Sequence, residues 1–183
     1  MKNLTLLLLI SLLSCNTGVK KETEQPLPVE TKIADDGETF YEGKINRQNL
    51  ISSPLTSWFE TGYNQYYIDP QWVEEHQGLL DGLQFKLFLG TWCEDSEREV
   101  PGMLKLLDAL GLDQNSMEIY AMDKNKITAA NFEKGLNIIN IPTLIVYKDG
   151  EEMNRIVELT IESLEKDLSK ILKGLPYQNA YFE

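Results

Sequence analysis

The chain of 183 residues is long enough for one ordinary domain with extensions at its ends. Its apolar content of 42% supports a packed core and excludes a wholly disordered protein. The formal net charge of -12 argues against binding to nucleic acid, or to anionic lipid headgroups through the domain itself, because both need clustered Lys and Arg.

The first residues have the features of an export signal. Lys2 gives a positive start, residues 4–13 are a mainly apolar run too short to span a bilayer, and Ser14 precedes Cys15. This ending resembles the lipobox of bacterial lipoproteins, which implies that residues 1–14 are a signal peptide and that Cys15 carries the lipid. We therefore expect a protein anchored by its lipid in a bacterial cell envelope, on the periplasmic side of a membrane or at the cell surface. The alternative is an ordinary secreted protein cleaved nearby, in which Cys15 is incidental.

The next segment predicts a tether followed by an extension of the main domain. Residues 15–38 are rich in Lys, Glu, Thr and Pro without an apolar period, which predicts a flexible tether. Residues 39–82 form the extension, with a possible strand and a helix that begins at Asp69-Pro70, where Asp caps and Pro occupies the first turn. The extension is aromatic at Trp58, Phe59, Tyr63, Tyr66, Tyr67 and Trp72. We expect these side chains to pack it onto the core, and a recognition surface is the alternative.

From residue 83 the pattern indicates an α/β domain with alternating strands and helices. The expected elements are a buried strand at 85–89, a helix at 94–110, a strand at 117–122, a short helix at 127–134, and a hairpin of 143–147 and 151–157. Thr160 is expected to cap a last helix with one apolar face, formed by Ile161, Leu164, Leu168 and Ile171.

Three motifs within this domain resemble those of one family, the thioredoxin superfamily. Trp92-Cys93 follows the first strand as in the family's active-site turn, and Pro101 matches the proline within the family's helix. Ile141-Pro142-Thr143, just before the hairpin, matches its cis-proline loop. Thioredoxin-like lipoproteins of the Bacteroidetes type look closest. The resemblance implies a thioredoxin fold, with a central mixed sheet flanked by helices.

The resemblance covers about residues 83–174 and leaves 175–183 as a C-terminal tail. It implies a catalytic site at Cys93, Trp92, Ser96 and Pro142, and a substrate groove lined by Ile141, Thr143 and Glu158. A helix N-terminus favours the thiolate, which is the form of cysteine that attacks a disulfide. We therefore expect Cys93 to be at least partly accessible at the start of this helix, opposite a cis bond between Ile141 and Pro142.

The chain also departs from the family pattern in ways that bear on its chemistry. Ser96 stands in place of the second, resolving cysteine, and we expect its hydroxyl to bond Cys93 from the same helix face. Leu87 stands in place of the family's buried acid, and Glu158 falls where a groove-lining glycine is usual. The thiol is surrounded by acidic residues that favour the helix dipole but oppose a thiolate, namely Glu94, Asp95, Glu97 and Glu158.

Other kinds of chemistry have little support in the sequence. His76 is the only histidine, and we expect a packing or surface role rather than a Cys-His pair. No Cys/His spacing suits zinc and no glycine-rich loop suits phosphate, so we expect no metal and no cofactor. Three hypotheses remain open. In the first, Cys93 forms mixed disulfides with envelope proteins or small thiols and assists reduction or isomerisation with the help of an external thiol. In the second, the domain is a non-catalytic binding module for an envelope partner, and in the third it is a structural remnant that has lost its chemistry.

Overall fold

The computed structural model describes residues 25–182 and contains one sheet of six strands, in the order β1-β2-β4-β3-β5-β6. Strands β3 and β4 are parallel, and the other neighbouring pairs are antiparallel. The elements in chain order are β1 (Glu30–Ile33), β2 (Thr39–Ile45), α1 (Arg47–Ser52), α2 (Ser57–Gln65), α3 (Pro70–His76), β3 (Leu83–Leu89), α4 (Glu94–Ala109), β4 (Met117–Ala121), β5 (Thr143–Lys148), β6 (Glu151–Val157) and α5 (Leu164–Leu172). This is the predicted α/β thioredoxin fold with an N-terminal extension.

The main core lies between one face of the sheet and the helices. Because side chains alternate along a strand, Phe85, Leu87 and Leu89 of β3 share this face, and all three are buried. They belong to one cluster with buried residues of the helices, including Leu50, Phe59, Leu104, Leu107, Leu168 and Ile171. The core therefore supports the carboxyl end of β3, where the candidate site begins.

The aromatic side chains of the extension join this core, as predicted. Trp58, Tyr63, Tyr66 and Trp72 are partly buried against it. Tyr67 is the exception, with 77% of its surface exposed. The predicted cap at Asp69 is confirmed, since its carboxylate accepts a hydrogen bond from the Gln71 N–H at the start of α3.

The opposite face of the sheet is covered by a loop where a helix was predicted at 127–134. That prediction is wrong, because side chains there satisfy the backbone groups that a helix would pair internally. The Thr128 hydroxyl accepts from the Phe132 N–H at 2.9 Å, and the Glu133 carboxylate accepts from the Thr128 N–H at 3.1 Å. Asn131 adopts φ of +56°, which ends any helical run.

The predicted tether at 15–38 also extends too far. Glu30–Ile33 pairs with β2 as strand β1, and the segment before it is held by side chains that follow β2. Asn46 donates to the Gln25 carbonyl at 2.7 Å, and Asn49 donates to the Leu27 carbonyl at 2.8 Å. Strand β1 and strand β2 form a hairpin across residues 34–38, and a prediction from composition does not detect this pairing. The predicted signal peptide and Cys15 lie outside the described residues.

The end of the domain follows the prediction, except at the last helix cap. The hairpin between β5 and β6 turns at Asp149-Gly150, where φ is positive at both residues. The cap of α5 is Ser163, whose hydroxyl accepts from the Lys166 N–H, and the prediction of Thr160 is wrong. The backbone before Ser163 is held by buried Asp167, which accepts from the Ile161 N–H at 2.5 Å. The Ile161 side chain is 52% exposed, unlike the other three predicted on the apolar face.

Candidate active site

The thiol of Cys93 lies at the point where β3 ends and α4 begins. Cys93 is the N-cap residue of α4, and its own N–H donates to the Gly90 carbonyl at 3.1 Å. Its Sγ lies 3.7 Å from the Ile141 carbonyl oxygen, to which the S–H can donate. The Cys93 side chain makes no hydrogen bond to the N–H groups of the first turn of α4, so its polar contact is with the Ile141 carbonyl.

The thiol is less accessible than the sequence leads us to expect. Only 9% of the Cys93 surface is exposed, so the expectation of a partly accessible cysteine is wrong in degree. Cys93 belongs to a small apolar cluster on the loop-covered face of the sheet, with buried neighbours Phe88, Tyr120, Met122, Ile141 and Ile145. Cys93 lies in the turn at the start of α4, and access to its sulfur is limited by these packed apolar side chains.

The loop opposite the thiol contains the predicted cis bond, between Ile141 and Pro142. Ile141 and Thr143 are buried, and the Thr143 hydroxyl donates to the Asn140 carbonyl at 2.6 Å. The side chains of Ile141 and Thr143 therefore point into the protein interior and are not available to a substrate. Any groove at this loop would be formed by backbone atoms of Ile141 and Thr143 rather than by their side chains.

Glu158 lies next to the cis-proline loop, at the end of β6. Its N–H donates to the Pro142 carbonyl at 2.7 Å, and its φ of +57° is the left-handed conformation that favours glycine. The Glu158 carboxylate accepts from the Asn140 amide at 3.1 Å and from the Tyr181 hydroxyl. Burial, followed by the charge of Asp95, raises the pKa of this carboxyl above its ordinary value.

Ser96 is fully buried and does not bond Cys93, which corrects the sequence expectation. Its hydroxyl oxygen accepts a hydrogen bond from the Gly90 N–H at 3.1 Å. The residue in place of the resolving cysteine thus ties the first turn of α4 to the end of β3. The prediction was wrong because helical spacing shows only that Cys93 and Ser96 share a helix face. It does not show that the Gly90 N–H is placed to donate to the Ser96 hydroxyl.

Trp92 covers the same turn from the side of the loop. Its indole N–H donates to the Met122 carbonyl at 2.9 Å, and the Lys124 ammonium lies 6.0 Å from its ring centre. A Cβ atom added at Gly90 would lie 2.8 Å from the Trp92 ring and 3.0 Å from Ile141. Gly90 therefore permits a close approach of the turn, the indole and the cis-proline loop.

The charge around the thiol is mostly negative, as predicted. Glu94, Asp95 and Glu97 occupy the first turn of α4, where they complement the helix dipole. Burial, followed by Glu94 and then Glu38, raises the pKa of Glu97. Asp95 is paired with Arg98 at 2.7 Å, so this nearby cation is already neutralised.

One contribution to this charge was missed from the sequence. Asp36 and Glu38 come from the segment predicted as tether, and both pair with Lys124, Glu38 at 2.8 Å. These ion pairs join residues more than eighty positions apart in the sequence, and no local sequence pattern predicts them. The lysine beside Trp92 is therefore also occupied by carboxylates.

Two further residues singled out in the sequence belong to the core. Leu87 is fully buried in the main cluster, so the place of the family's buried acid is apolar. His76 is 2% exposed, stacks on Trp72, and has ring nitrogens 2.6 Å from the Trp72 carbonyl and the Ser169 hydroxyl. It has the packing role that was expected and makes no pair with Cys93.

Within residues 25–182, no group of three or more His, Cys, Asp or Glu side chains is arranged to hold a metal ion. In the same part of the chain, no helix is both long and apolar enough to cross a bilayer.

Comparison with known proteins identifies relatives of the domain that carries this site. No family model matches the chain. Thioredoxin of Staphylococcus saprophyticus is 34% identical over 95 residues, which is 49% of this chain and 86% of that protein. Thioredoxin of Staphylococcus haemolyticus is 33% identical over 104 residues, covering 50% of this chain and 88% of that protein.

Among solved structures, oxidised mitochondrial thioredoxin 3 from Saccharomyces cerevisiae is similar to this chain, with a TM-score of 0.36 and 21% sequence identity. The similar region covers 56% of this chain and 90% of that protein.

Proposed function

This chain belongs to the thioredoxin family, and we propose that it carries out thiol–disulfide exchange through one active-site cysteine, Cys93. From the lipobox-like residues that end at Cys15, we propose further that it is anchored by a lipid in a bacterial cell envelope. The observation that carries the proposal is the position of the Cys93 sulfur, at the N-cap of α4 and 3.7 Å from the Ile141 carbonyl beside cis-Pro142. The family relationship supports exchange chemistry in general. The one-cysteine mechanism follows from the residues at 93 and 96.

The proposed reaction has two exchange steps. The Cys93 thiolate attacks one sulfur of a partner disulfide, forming a mixed disulfide and releasing the other partner sulfur as a thiolate. A thiolate from outside the protein then attacks the mixed disulfide, takes the partner's sulfur, and returns Cys93 to its thiolate. Ser96 has no sulfur and bonds Gly90, so nothing on the same helix face can perform this second step.

Partners under this proposal are disulfides of envelope proteins or small molecules. A deeply buried thiol must become accessible before it reacts, so exchange requires a local opening around Cys93. Since the thiol is packed between α4 and the cis-proline loop, movement of that loop is the smallest opening that would expose it.

Replacing Ser96 by cysteine tests the one-cysteine mechanism. Insulin reduction should be compared for wild type, Ser96→Cys, and Ser96→Cys combined with Cys93→Ser as the matched control. Wild type should stay near the uncatalysed rate, and Ser96→Cys should raise it, because a second thiol then resolves the mixed disulfide. The control should lose that gain. Turnover by wild type at the level of Ser96→Cys would contradict the mechanism.

Replacing Cys15 tests the anchor. Cys15→Ala should leave the precursor unprocessed or release the protein from membranes, whereas Thr17→Ala, two positions away, should fractionate as wild type does. Normal processing and normal membrane fractionation of Cys15→Ala would contradict lipid attachment at this residue.

A second function is favoured by the low exposure of Cys93, 9%. A thiol that stays packed would leave the domain as a non-catalytic binding module for an envelope partner. The two functions differ in one measurement. If wild type forms no mixed disulfide under native conditions and Ser96→Cys gains no turnover, the binding module replaces the exchange proposal.

A further inference from the structure

The turn that carries the thiol, Thr91-Trp92-Cys93, contacts the N-terminal extension as well as the cis-proline loop. Thr91 is buried, with 5% of its surface exposed, and its hydroxyl oxygen accepts a hydrogen bond from the Tyr41 N–H at 3.0 Å. Tyr41 belongs to β2, which forms a hairpin with β1. The turn is therefore bonded directly to this hairpin.

The path of β2 explains why the hairpin reaches the turn. Strand β2 pairs with β4 over Gly43–Ile45, and β4 ends at Ala121, so residues 39–42 of β2 continue beyond the end of β4. Strand β1 pairs with residues 39–42 on their outer edge. Their inner edge faces the active-site turn, where the Thr91 hydroxyl takes the place of a strand partner for Tyr41.

The tip of the same hairpin is fastened beside Trp92 by ion pairs. Asp36 and Glu38 lie between β1 and β2, and their carboxylates pair with the Lys124 ammonium at 2.5 and 2.8 Å. That ammonium lies 6.0 Å from the centre of the Trp92 ring. Exposed ion pairs contribute little to stability, so the buried hydrogen bond at Thr91 is the stronger of the two contacts.

These contacts bear on how the thiol becomes accessible. Cys93 follows Thr91 by two residues, and only 9% of its surface is exposed. The neighbouring Trp92 N–H donates to the Met122 carbonyl at 2.9 Å, so the turn is held on both sides. An opening confined to the cis-proline loop leaves the bond between Thr91 and Tyr41 intact, whereas an opening that includes the turn breaks it.

We propose that the β1–β2 hairpin clamps the active-site turn, that Thr91 is the positioning residue through which it acts, and that Cys93 becomes reactive when the bond between Thr91 and Tyr41 is released. The inference rests on the exchange function proposed above and deepens it. It assigns control of the thiol to residues 30–45, which precede the region that resembles the thioredoxin superfamily.

Alkylation of Cys93 measures this opening without requiring disulfide exchange. The full chain with Cys15→Ser, in which Cys93 is the only cysteine, is treated with iodoacetamide in native buffer, and the rate of mass gain is followed. Thr91→Val keeps the shape of the side chain and removes the acceptor for the Tyr41 N–H. Thr91→Ser keeps the acceptor and serves as the conservative rescue.

Thr56→Val is the matched control for a general loss of stability. Thr56 is also buried, and its hydroxyl lies 3.2 Å from both the Asn49 and the Ser53 carbonyls, between α1 and α2. Its bonds are not part of the clamp. Thr56→Val therefore destabilises the folded protein without favouring release of the active-site turn.

Thr91→Val should raise the alkylation rate at least about fivefold, since the closed state loses a buried hydrogen bond that the open state does not use. Thr91→Ser should stay within about twofold of the chain that carries Cys15→Ser alone, because the hydroxyl is kept. Thr56→Val should leave the rate unchanged. If Thr91→Val has no effect, or if Thr56→Val raises the rate as much, the clamp does not control the thiol.

Hydrogen exchange tests the same point without a change at Thr91. If release of the clamp exposes Cys93, the Tyr41 amide proton becomes exchangeable in the same opening. The amide and the thiol should then be protected by the same factor relative to the unfolded chain. Unequal protection in either direction would overturn the inference. A thiol that is alkylated as expected but forms no mixed disulfide with oxidised glutathione would instead contradict the proposed exchange function.

Discussion

Ser96→Ala tests whether the residue in place of the resolving cysteine supports the active-site turn. The Ser96 hydroxyl is the acceptor for the Gly90 N–H, and both residues are buried. Alanine would leave that N–H without a partner, which costs about 1–3 kcal/mol. The turn cannot shift to find another acceptor, since the space around Gly90 is filled by Trp92 and Ile141. For a domain of this size, the loss lowers Tm by roughly 2–12 °C.

Urea unfolding followed by circular dichroism would measure this change, with the midpoint falling and the slope m unchanged. Ser116→Ala is the matched control, because the Ser116 hydroxyl also bonds a backbone group, donating to the Asp113 carbonyl at 2.7 Å, but does so at the surface. The control should change stability by no more than about 0.5 kcal/mol. If Ser96→Ala is as stable as Ser116→Ala, the hydrogen bond to Gly90 does not support the turn.

Two further substitutions test packing and charge near the site. Gly102→Ala places a Cβ 2.5 Å from the ring of Tyr66, whose hydroxyl is fixed on Glu165, and should cost about 1–3 kcal/mol in chemical unfolding. Stability equal to wild type would contradict the contact. Because the folded state raises the pKa of Glu158, its charged form destabilises the protein above that pKa, so Glu158→Gln should be more stable than wild type at pH 7. That advantage should shrink as the pH falls through the raised pKa of Glu158, and it should be lost below the ordinary pKa of glutamate, about 4.3, where the carboxyl is protonated in the folded and the unfolded protein. An advantage of the same size at both pH values would show that charge is not its cause.

The centre of the fold could be predicted because its signals are local and agree with one another. The run at β3 is apolar, the helix after Cys93 has an acidic first turn and apolar periodicity, and Asp149-Gly150 suits a tight hairpin turn. Each signal comes from neighbouring residues, and the tertiary contacts favour the same structure.

The errors occur where side chains or the edge of a neighbouring strand compete with the structure that composition and periodicity predict. At 127–134, Thr128 and Glu133 bond the backbone and replace the predicted helix with turns. At Glu30–Ile33, the free edge of β2 recruits a segment whose composition suggests a tether. Composition predicts the structure of a segment in isolation. The unpaired backbone groups at the edge of β2 offer hydrogen bonds to Glu30–Ile33, and this pairing makes the segment a strand.

The candidate site could be identified from the sequence, but its contacts could not. Cys93, Pro142 and Glu158 are brought together as the motifs suggest. The partner of Ser96 and the burial of Cys93 depend on how the turn packs, which motif spacing does not encode. The carboxylates that pair with Lys124 belong to Asp36 and Glu38, which lie far from it in the sequence, and no sequence pattern predicts the contact.

The mass of the intact protein after exposure to oxidised glutathione tests the central claim most directly. With Cys15 replaced by Ser in every protein, so that Cys93 is the only cysteine, the otherwise unchanged chain should gain a single glutathione in native buffer and keep it after the excess reagent is removed, until dithiothreitol is added. Cys93→Ser should gain none. Adducts that form in urea but not in native buffer would show that Cys93 stays packed in the folded protein, and the account of exchange through this thiol would be contradicted.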